Sequence, residues 1–292
     1  MCMKSALREQ IKEKSAGIRL LALDVDGTLF TEDGRITPAS IEAIKKAQQA
    51  GITVIIASGR DYDAIPWDQL SEVTLPYVVT TNGSAVYRIA DRKCMYEECI
   101  PNAQAEEIFS YLLTKHIYME VFMDGKGYVP QQLVDVAREL PLPEHIIQLI
   151  LSKQNVLPDI LAFVRQGAKI QKGTLNFVRL PDGTLQDREE IRVFLEQMGG
   201  LNIVNGGYDN LEFNKAGVDK SLGIRYICEL LDIPAAAVAA IGDSENDIEM
   251  LQQAGLGIAM GNALDEVKAK ADAVTLSNEE DGVAAAVAAM LE

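Results

Sequence analysis

The sequence predicts an α/β protein, a parallel, Rossmann-like core sheet with an α+β unit inserted into it. Three observations carry this reading. The apolar runs at 20–23, 52–57 and 237–241 have no polar alternation, which marks strands buried on both faces. Each run ends in small and polar residues and is followed by helical spacing, the order of right-handed parallel crossovers. From about Tyr87 to about Tyr208 amphipathic strands and hairpin turns replace that texture, after which the parallel pattern returns. The expected organisation is an N-terminal extension at 1–17, a discontinuous core at 18–86 and 209–292, and an inserted cap-like domain at 87–208.

Taken in order, residues 1–17 mix charges along a short helical pattern and carry no continuous apolar stretch of the kind a signal peptide requires. The first core strand runs into Asp24-Val25-Asp26-Gly27-Thr28-Leu29, two carboxylates, a glycine and a hydroxyl at a strand tip. Aspartates at i and i+2 point to opposite faces of a strand, so Gly27 has to turn the backbone if both are to serve one site. Thr31-Glu32-Asp33-Gly34-Arg35 reads as a tight turn, and Thr37-Pro38 opens a helix to about Gln49 with Gly51 as its stop. The strand at 52–57 ends in Ser58-Gly59-Arg60, after which helical spacing resumes. A strand at 76–81 ends in Asn82-Gly83.

Within the insertion, helices are expected near 103–115, 155–166 and 187–198, and strands at 146–151 and 174–180. Hairpin turns fall at Asp124-Gly125 and Pro181-Asp182-Gly183. Beyond Glu212-Phe213-Asn214 the core resumes with a helix from Lys220 to about Leu231 and a strand at 237–241. That strand's tip is Gly242-Asp243-Ser244-Glu245-Asn246-Asp247. A helix to about Ala254, a strand at 256–260, a helix from about Ala263, a strand near 273–276 and an alanine-rich helix complete the chain. Gly255-x-Gly257-x-x-x-Gly261 has the wrong spacing and context for a dinucleotide loop and reads as packing glycines.

The 292 residues suffice for two domains, and a formal net charge of −16 argues against general binding to nucleic acid or anionic membranes. No apolar run approaches the roughly 18 residues of a membrane span. Cys2, Cys94, Cys99 and Cys228 lack CxxC spacing, which favours reduced thiols and a cytoplasmic location. Asn82-Gly83-Ser84 fits a glycosylation pattern without the export signal that would make it meaningful. No obligate protein partner is evident.

Ligands of open parallel sheets bind at the carboxyl edge, so topology brings Asp24, Asp26, Ser58, Asp243 and Asp247 together, with Lys220 at a nearby helix start. An Asp-x-Asp-Gly turn alone often does no more than solvate a strand end. It is also no EF-hand, since glycine falls fourth, Leu29 sixth and Arg35 twelfth. The whole constellation, however, describes phosphoryl transfer: carboxylates suit Mg²⁺, a lysine and a hydroxyl suit phosphate oxygens, and paired carboxylates can divide nucleophilic from acid-base work.

These motifs, in this order, resemble those of the haloacid dehalogenase superfamily phosphatases, in the Cof-like subgroup with a large α/β cap. Asp24-Val25-Asp26-Gly27-Thr28-Leu29 resembles the first motif, Ser58-Gly59-Arg60 the second, Lys220 in Gly217-Val218-Asp219-Lys220 the third and Gly242 to Asp247 the fourth. The resemblance implies that Asp24 is the nucleophile forming an aspartyl phosphate and that Asp26 is the acid and base. It implies Mg²⁺ held by Asp24, the Asp26 carbonyl and Asp243, with Asp247 behind them. It also implies phosphate contacts from Ser58, Gly59, Lys220 and Asn246, and substrate contacts from Arg60, Asn82 and Gly83. Lys215 is the alternative phosphate cation, and Asp219 stands where the subgroup often has serine. The substrate class implied is a small phosphorylated metabolite such as a sugar phosphate. A phosphomutase using the same aspartyl phosphate and a non-catalytic metabolite-binding protein are the alternatives. Arg165, Lys169, Lys172 and Arg179 are candidate anion readers in the insertion, with solvated surface charge as the plainer reading. His116 and His145 read as structural or exposed.

Overall fold

The computed structural model describes residues 5–205 and 209–292. Cys2 and the expected end of the insertion at Tyr208 lie outside the described residues. In chain order the elements are α1 (Ser5–Lys14), β1 (Leu20–Leu23), α2 (Pro38–Gln49), β2 (Thr53–Ala57), β3 (Tyr77–Thr80), β4 (Ala85–Arg88) and β5 (Lys93–Glu97). There follow α3 (Asn102–Leu112), β6 (Ile117–Met123), β7 (Lys126–Pro130), α4 (Glu144–Lys153), β8 (Asn155–Leu157), α5 (Ile160–Arg165), β9 (Lys172–Phe177), α6 (Arg188–Met198), β10 (Leu201–Asn205) and β11 (Leu211–Lys215). The last are α7 (Lys220–Leu231), β12 (Val238–Gly242), α8 (Ile248–Gln253), β13 (Leu256–Ala259), α9 (Asp265–Lys268), β14 (Ala273–Val274) and α10 (Gly282–Met290).

These elements form two compact units, Met1–Tyr96 with Asp219–Glu292, and Glu97–Val218. The first is built on a sheet of order β14-β13-β12-β1-β2-β3-β4-β5. From β14 to β3 every pairing is parallel, and the β3–β4 pair turns antiparallel through a hairpin. β1 is central, its four residues fully buried between β12 and β2. The helices show why the sequence stops and starts where it does. Thr37 caps α2 by accepting the Ser40 N–H, Pro38 fills the first turn, and Gly51 exits at φ +85°. Asp219 caps α7 by accepting the N–H groups of Ser221 and Leu222, which gives this aspartate a structural reason to replace serine. α1 packs against α10, β13 and β14, with Ile11 fully buried and Arg8 and Lys14 paired to Glu292 and Asp272. The extension is therefore part of this unit's core.

The second unit carries a sheet of order β10-β11-β9-β6-β7-β8, antiparallel except for β7–β8. Met119, Val121, Leu175 and Phe213 share a core with Ile108 and Phe109 of α3 and Ile191 and Leu195 of α6. At Gly173 an added Cβ would lie 2.3 Å from the Phe213 ring, so the missing side chain makes room for that phenylalanine. Asp124 and Gly125 both have positive φ, the conformation of a tight hairpin turn between β6 and β7.

Several expectations need correction. Residues 146–151 belong to α4, because a short apolar run does not distinguish a buried strand from a helix and Pro143 supplies a helix start. Residues 155–157 form β8 and α5 begins only at Ile160, where Asp159 accepts the Ala162 N–H. No helix or strand follows Arg60 before β3. Pro66 interrupts the helical spacing, and local bonds such as Ala64 N–H to Asp61 and Trp67 Nε1–H to the Tyr62 carbonyl close turns instead. The units divide at 96/97 and 218/219 rather than at 86/87 and 208/209. β4 and β5 look amphipathic because they form the edge of the first sheet, and β11 pairs with β9 and β10. Arg165, Lys169, Lys172 and Arg179 each pair with a carboxylate of the second unit: Glu106, Glu97, Glu212 and Asp209. His116 is exposed and bonded to Glu139. Among the described residues no helix is long and apolar enough to cross a membrane.

Because Ile11 is wholly enclosed, Ile11→Ala should lower the unfolding free energy by about 2–5 kcal/mol, measured by denaturant titration with the m-value unchanged. A cost within error would mean that α1 rests on the core without stabilising it.

Candidate active site

The in-register parallel strands bring their carboxyl ends to one edge. Leu23 lies opposite Ile56 on one side and Ile241 on the other, so the next residues out are Asp24, Ala57 with Ser58, and Gly242 with Asp243. Asp24 N–H still bonds the Ile241 carbonyl, after which the chain leaves the sheet in a wide turn closed by Phe30 N–H on the Val25 carbonyl. Gly27 makes this turn at φ +80°, and a Cβ there would lie 2.3 Å from an Asp243 carboxylate oxygen. Thr28 and Ser244 hydroxyls donate to the two oxygens of Asp243, and Asn262 Nδ2–H donates to the Gly27 carbonyl.

At the centre is Lys220. Its ammonium is 1% exposed and donates to Asp24 Oδ1 and Asp247 Oδ1, both at 2.6 Å. The other Asp247 oxygen accepts the backbone N–H groups of Asp243 and Ser244 at 3.0 Å, which makes this fully buried aspartate a clamp between α7 and the β12 tip. Burial pushes the Asp24 carboxyl well above the usual carboxylate range; Lys220 opposes this, while Asp247, Asp243 and Asp26 add to it. Burial and then the charge of Asp247 push Asp243 up to about 6. For Lys220, burial pulls downward but the two carboxylates outweigh it, so the ammonium stays above its usual value and remains charged.

Asp24, Asp243 and Asp247 each offer an oxygen within 4.8 Å of the others. Three carboxylates facing one ammonium leave an excess of buried negative charge, and two of the three have raised affinity for protons. A hard divalent cation fits such a set of oxygens. The Asp26 carboxylate is not in this group. It lies outward, 57% exposed, with both oxygens held by Arg60 at 2.7 Å, and the guanidinium also bonds the Ala64 carbonyl and sits over the Phe30 ring.

Ser58 is fully buried and its hydroxyl accepts the Arg60 N–H. Beside it, Asn246 Nδ2–H donates to Asn82 Oδ1, and a Cβ on Gly59 would lie 2.7 Å from that same oxygen. Asn246 Oδ1 and Thr81 Oγ1 are buried with no partner among the described residues. Gly83 has φ +94°, and a Cβ there would lie 1.8 Å from the Asp219 carbonyl, so this glycine lets the β3 tip seat against the start of α7. The structure thus joins Asp24, Lys220, Asp243 and Asp247 in one cluster, Asn82, Gly59 and Asn246 in a second, and Asp26 with Arg60 in a third. Lys215 lies in the second unit, paired with Glu98. Gly255, Gly257 and Gly261 each lie where a Cβ would strike backbone, as expected of packing glycines. Asn262 was not anticipated. The signal was available, because Met260-Gly261-Asn262 follows β13 at the same edge.

A family model for haloacid dehalogenase-like hydrolases matches residues 21–287. The chain is 31% identical over 290 residues to the 5-amino-6-(5-phospho-D-ribitylamino)uracil phosphatase YwtE of Bacillus subtilis (strain 168), covering 91% of this chain and 96% of that protein. It is also 31% identical over 272 residues to the pyridoxal phosphate phosphatase YbhA of Escherichia coli (strain K12), with the same coverage of 91% and 96%. Among solved structures, a haloacid dehalogenase-like hydrolase from B. subtilis superposes with a TM-score of 0.75 at 27% identity, covering 91% of this chain and 98% of that one.

A carboxyl whose folded-state affinity for protons is raised binds more protons in the native than in the unfolded protein. The unfolding free energy therefore falls as pH rises between the ordinary aspartate value of 3.8 and the Asp243 value of about 6. The metal-free protein should lose stability across this window. Asp243→Asn should lose less and be more stable than wild type at about pH 7, by about 1–3 kcal/mol in chelator-treated denaturant titrations. An Asp243→Asn protein no more stable than wild type at neutral pH would show that Asp243 is not held against burial and its neighbours' charge.

Proposed function

The chain belongs to the haloacid dehalogenase-like hydrolase family, and from that premise we propose that it is a Mg²⁺-dependent phosphatase of small phosphomonoesters acting through an aspartyl phosphate on Asp24. The observation that carries this reading is the buried Asp24–Lys220–Asp247 arrangement beside Asp243. Mg²⁺ held by Asp24, Asp243 and the Asp26 carbonyl, with Asp247 behind them, would neutralise the carboxylates and the phosphate oxygens.

Lys220 fixes Asp24 through Oδ1 and leaves the second carboxylate oxygen to attack phosphorus. The bond from phosphorus to the leaving oxygen breaks as Asp26 donates it a proton. Asp26 then takes a proton from the water that attacks the aspartyl phosphate, which returns Asp24 and releases inorganic phosphate. Arg60 holds both oxygens of Asp26, so each proton transfer requires the carboxylate to loosen from that pair. Ser58, the Gly59 N–H, Lys220 and the Asn246 Nδ2–H, which in this structure donates to Asn82 Oδ1, would donate to the phosphate oxygens. Arg60, Asn82 and Gly83 line the same edge, where the rest of the substrate would enter.

YwtE and YbhA are equally similar to this chain, and the substrates in their names share a phosphoester but differ in the body that bears it. The shared chemistry supports small phosphorylated metabolites, sugar phosphates included. A screen of such compounds with and without Mg²⁺ should show phosphate release only with the metal, and release from no compound, a generic aryl phosphate included, would overturn the phosphatase reading.

The two aspartates separate in rapid-quench experiments. Asp24→Asn should form no phosphoenzyme and show no turnover, because an amide does not displace the leaving group. Asp26→Asn should trap phosphoenzyme and lose roughly 10²–10⁴-fold in rate. Its first step should slow less for an aryl phosphate than for a sugar phosphate, since the aryl oxygen leaves without a proton. Equal phosphoenzyme in both variants would rule out Asp24 as nucleophile.

A further inference from the structure

On the first unit a cavity of about 630 Å³ runs along α7 from Ser221 to Asp232. That volume lies within the roughly 300–1,000 Å³ of small-molecule sites. Its floor and walls are apolar: Ile224 and Cys228 from α7, Val238 from β12, Met250 from α8, and Ile233 from the loop between α7 and β12. Two guanidinium groups stand at its rim. Arg19 donates to the Asp232 carbonyl, whereas Arg225 is exposed and makes no hydrogen bond or ion pair among the described residues. Glu229 and Asp232 also face the cavity, so its two guanidinium groups and two carboxylates balance in formal charge.

We propose that this cavity is a second ligand site, for a small, largely apolar molecule bearing a single anionic group that Arg225 pairs. The body would replace water along Ile224, Cys228 and Met250, and the anion would lie beside the free guanidinium rather than the carboxylates. The location links it to the catalytic edge. α7 begins with Lys220 and presents Cys228 to the cavity about 12 Å further along its axis. β12 presents Val238 at one end and leads to Asp243 at the other, and α8 follows Asp247 and presents Met250 and Gln253. Three elements therefore have one end at each place, and a ligand that tightens their packing should also tighten the Asp247 clamp on the Asp243 and Ser244 amides.

The test uses anilinonaphthalenesulfonate, an aromatic body with one sulfonate, on the full metal-free chain. Fluorescence titration should saturate at one probe per chain. Binding should weaken at least tenfold in Arg225→Ala, whose exposed side chain is dispensable for folding, and vanish in Cys228→Trp, which fills the cavity. It should persist in Asp24→Asn, so its outcome is independent of the phosphatase reading. Mass-mapped thiol labelling should show Cys228 protected by the probe while Cys94 and Cys99 are not. Non-saturating binding, equal binding to Arg225→Ala, or unprotected Cys228 would each overturn the site. Hydrogen exchange of the Asp243 and Ser244 amides should slow when the probe binds, and unchanged exchange would overturn the link to the catalytic edge.

Discussion

One buried ammonium organises the first unit. Lys220 has almost no access to water, and it remains charged because Asp24 and Asp247 each accept from it at 2.6 Å. The ammonium is the member that cannot be lost: without it two buried carboxylates stand uncompensated, a loss of the order of 3–5 kcal/mol. Much of the local geometry serves it. Asp219 caps α7 so that the helix starts at Lys220, Gly83 lets the β3 tip approach that start, and Asp247 spends its second oxygen on the β12 tip. A third carboxylate, Asp243, is then held close to a balance that is already negative. The resulting excess charge is the physical basis for a cation at this edge.

The backbone around the site is also constrained. Thr81, Asn82 and Gly83 are three consecutive residues with positive φ, a run that side-chain-bearing residues adopt at a cost of order 1–3 kcal/mol each. The loop they form carries Asn82 to Asn246 and seats Gly83 against Asp219. Packing elsewhere must offset this strain, and the long parallel sheet with its fully buried central strand is the element able to do so.

Much of this was legible in the sequence because buried parallel strands write themselves as uninterrupted apolar runs, and a polar residue after such a run marks the sheet's carboxyl edge. Asp24, Ser58 and Asp243 were found in that way, and Lys220 by the helix start that Asp219 caps. The missed features have a common cause: they depend on partners distant in the chain. Residues 146–151 are equally apolar as strand or helix until their neighbours are known. β4 and β5 resemble inserted strands because an edge strand is half wet wherever it lies. The Arg60 hold on Asp26 leaves no trace in spacing, since an arginine after Ser-Gly could as readily face a ligand.

The pairing of Asp24 with Lys220 joins residues 196 apart in the chain, and the segment between them includes a complete compact unit, Glu97–Val218. During synthesis, β1 and its aspartates leave the ribosome long before the lysine that neutralises them. Residues 97–218 are contiguous and can fold as soon as they emerge, whereas the core sheet must wait for β12 to take its place beside β1. Until then β1 has an open hydrogen-bonding edge, and the period of greatest vulnerability to mispairing is set by the length of the insertion rather than by the core itself.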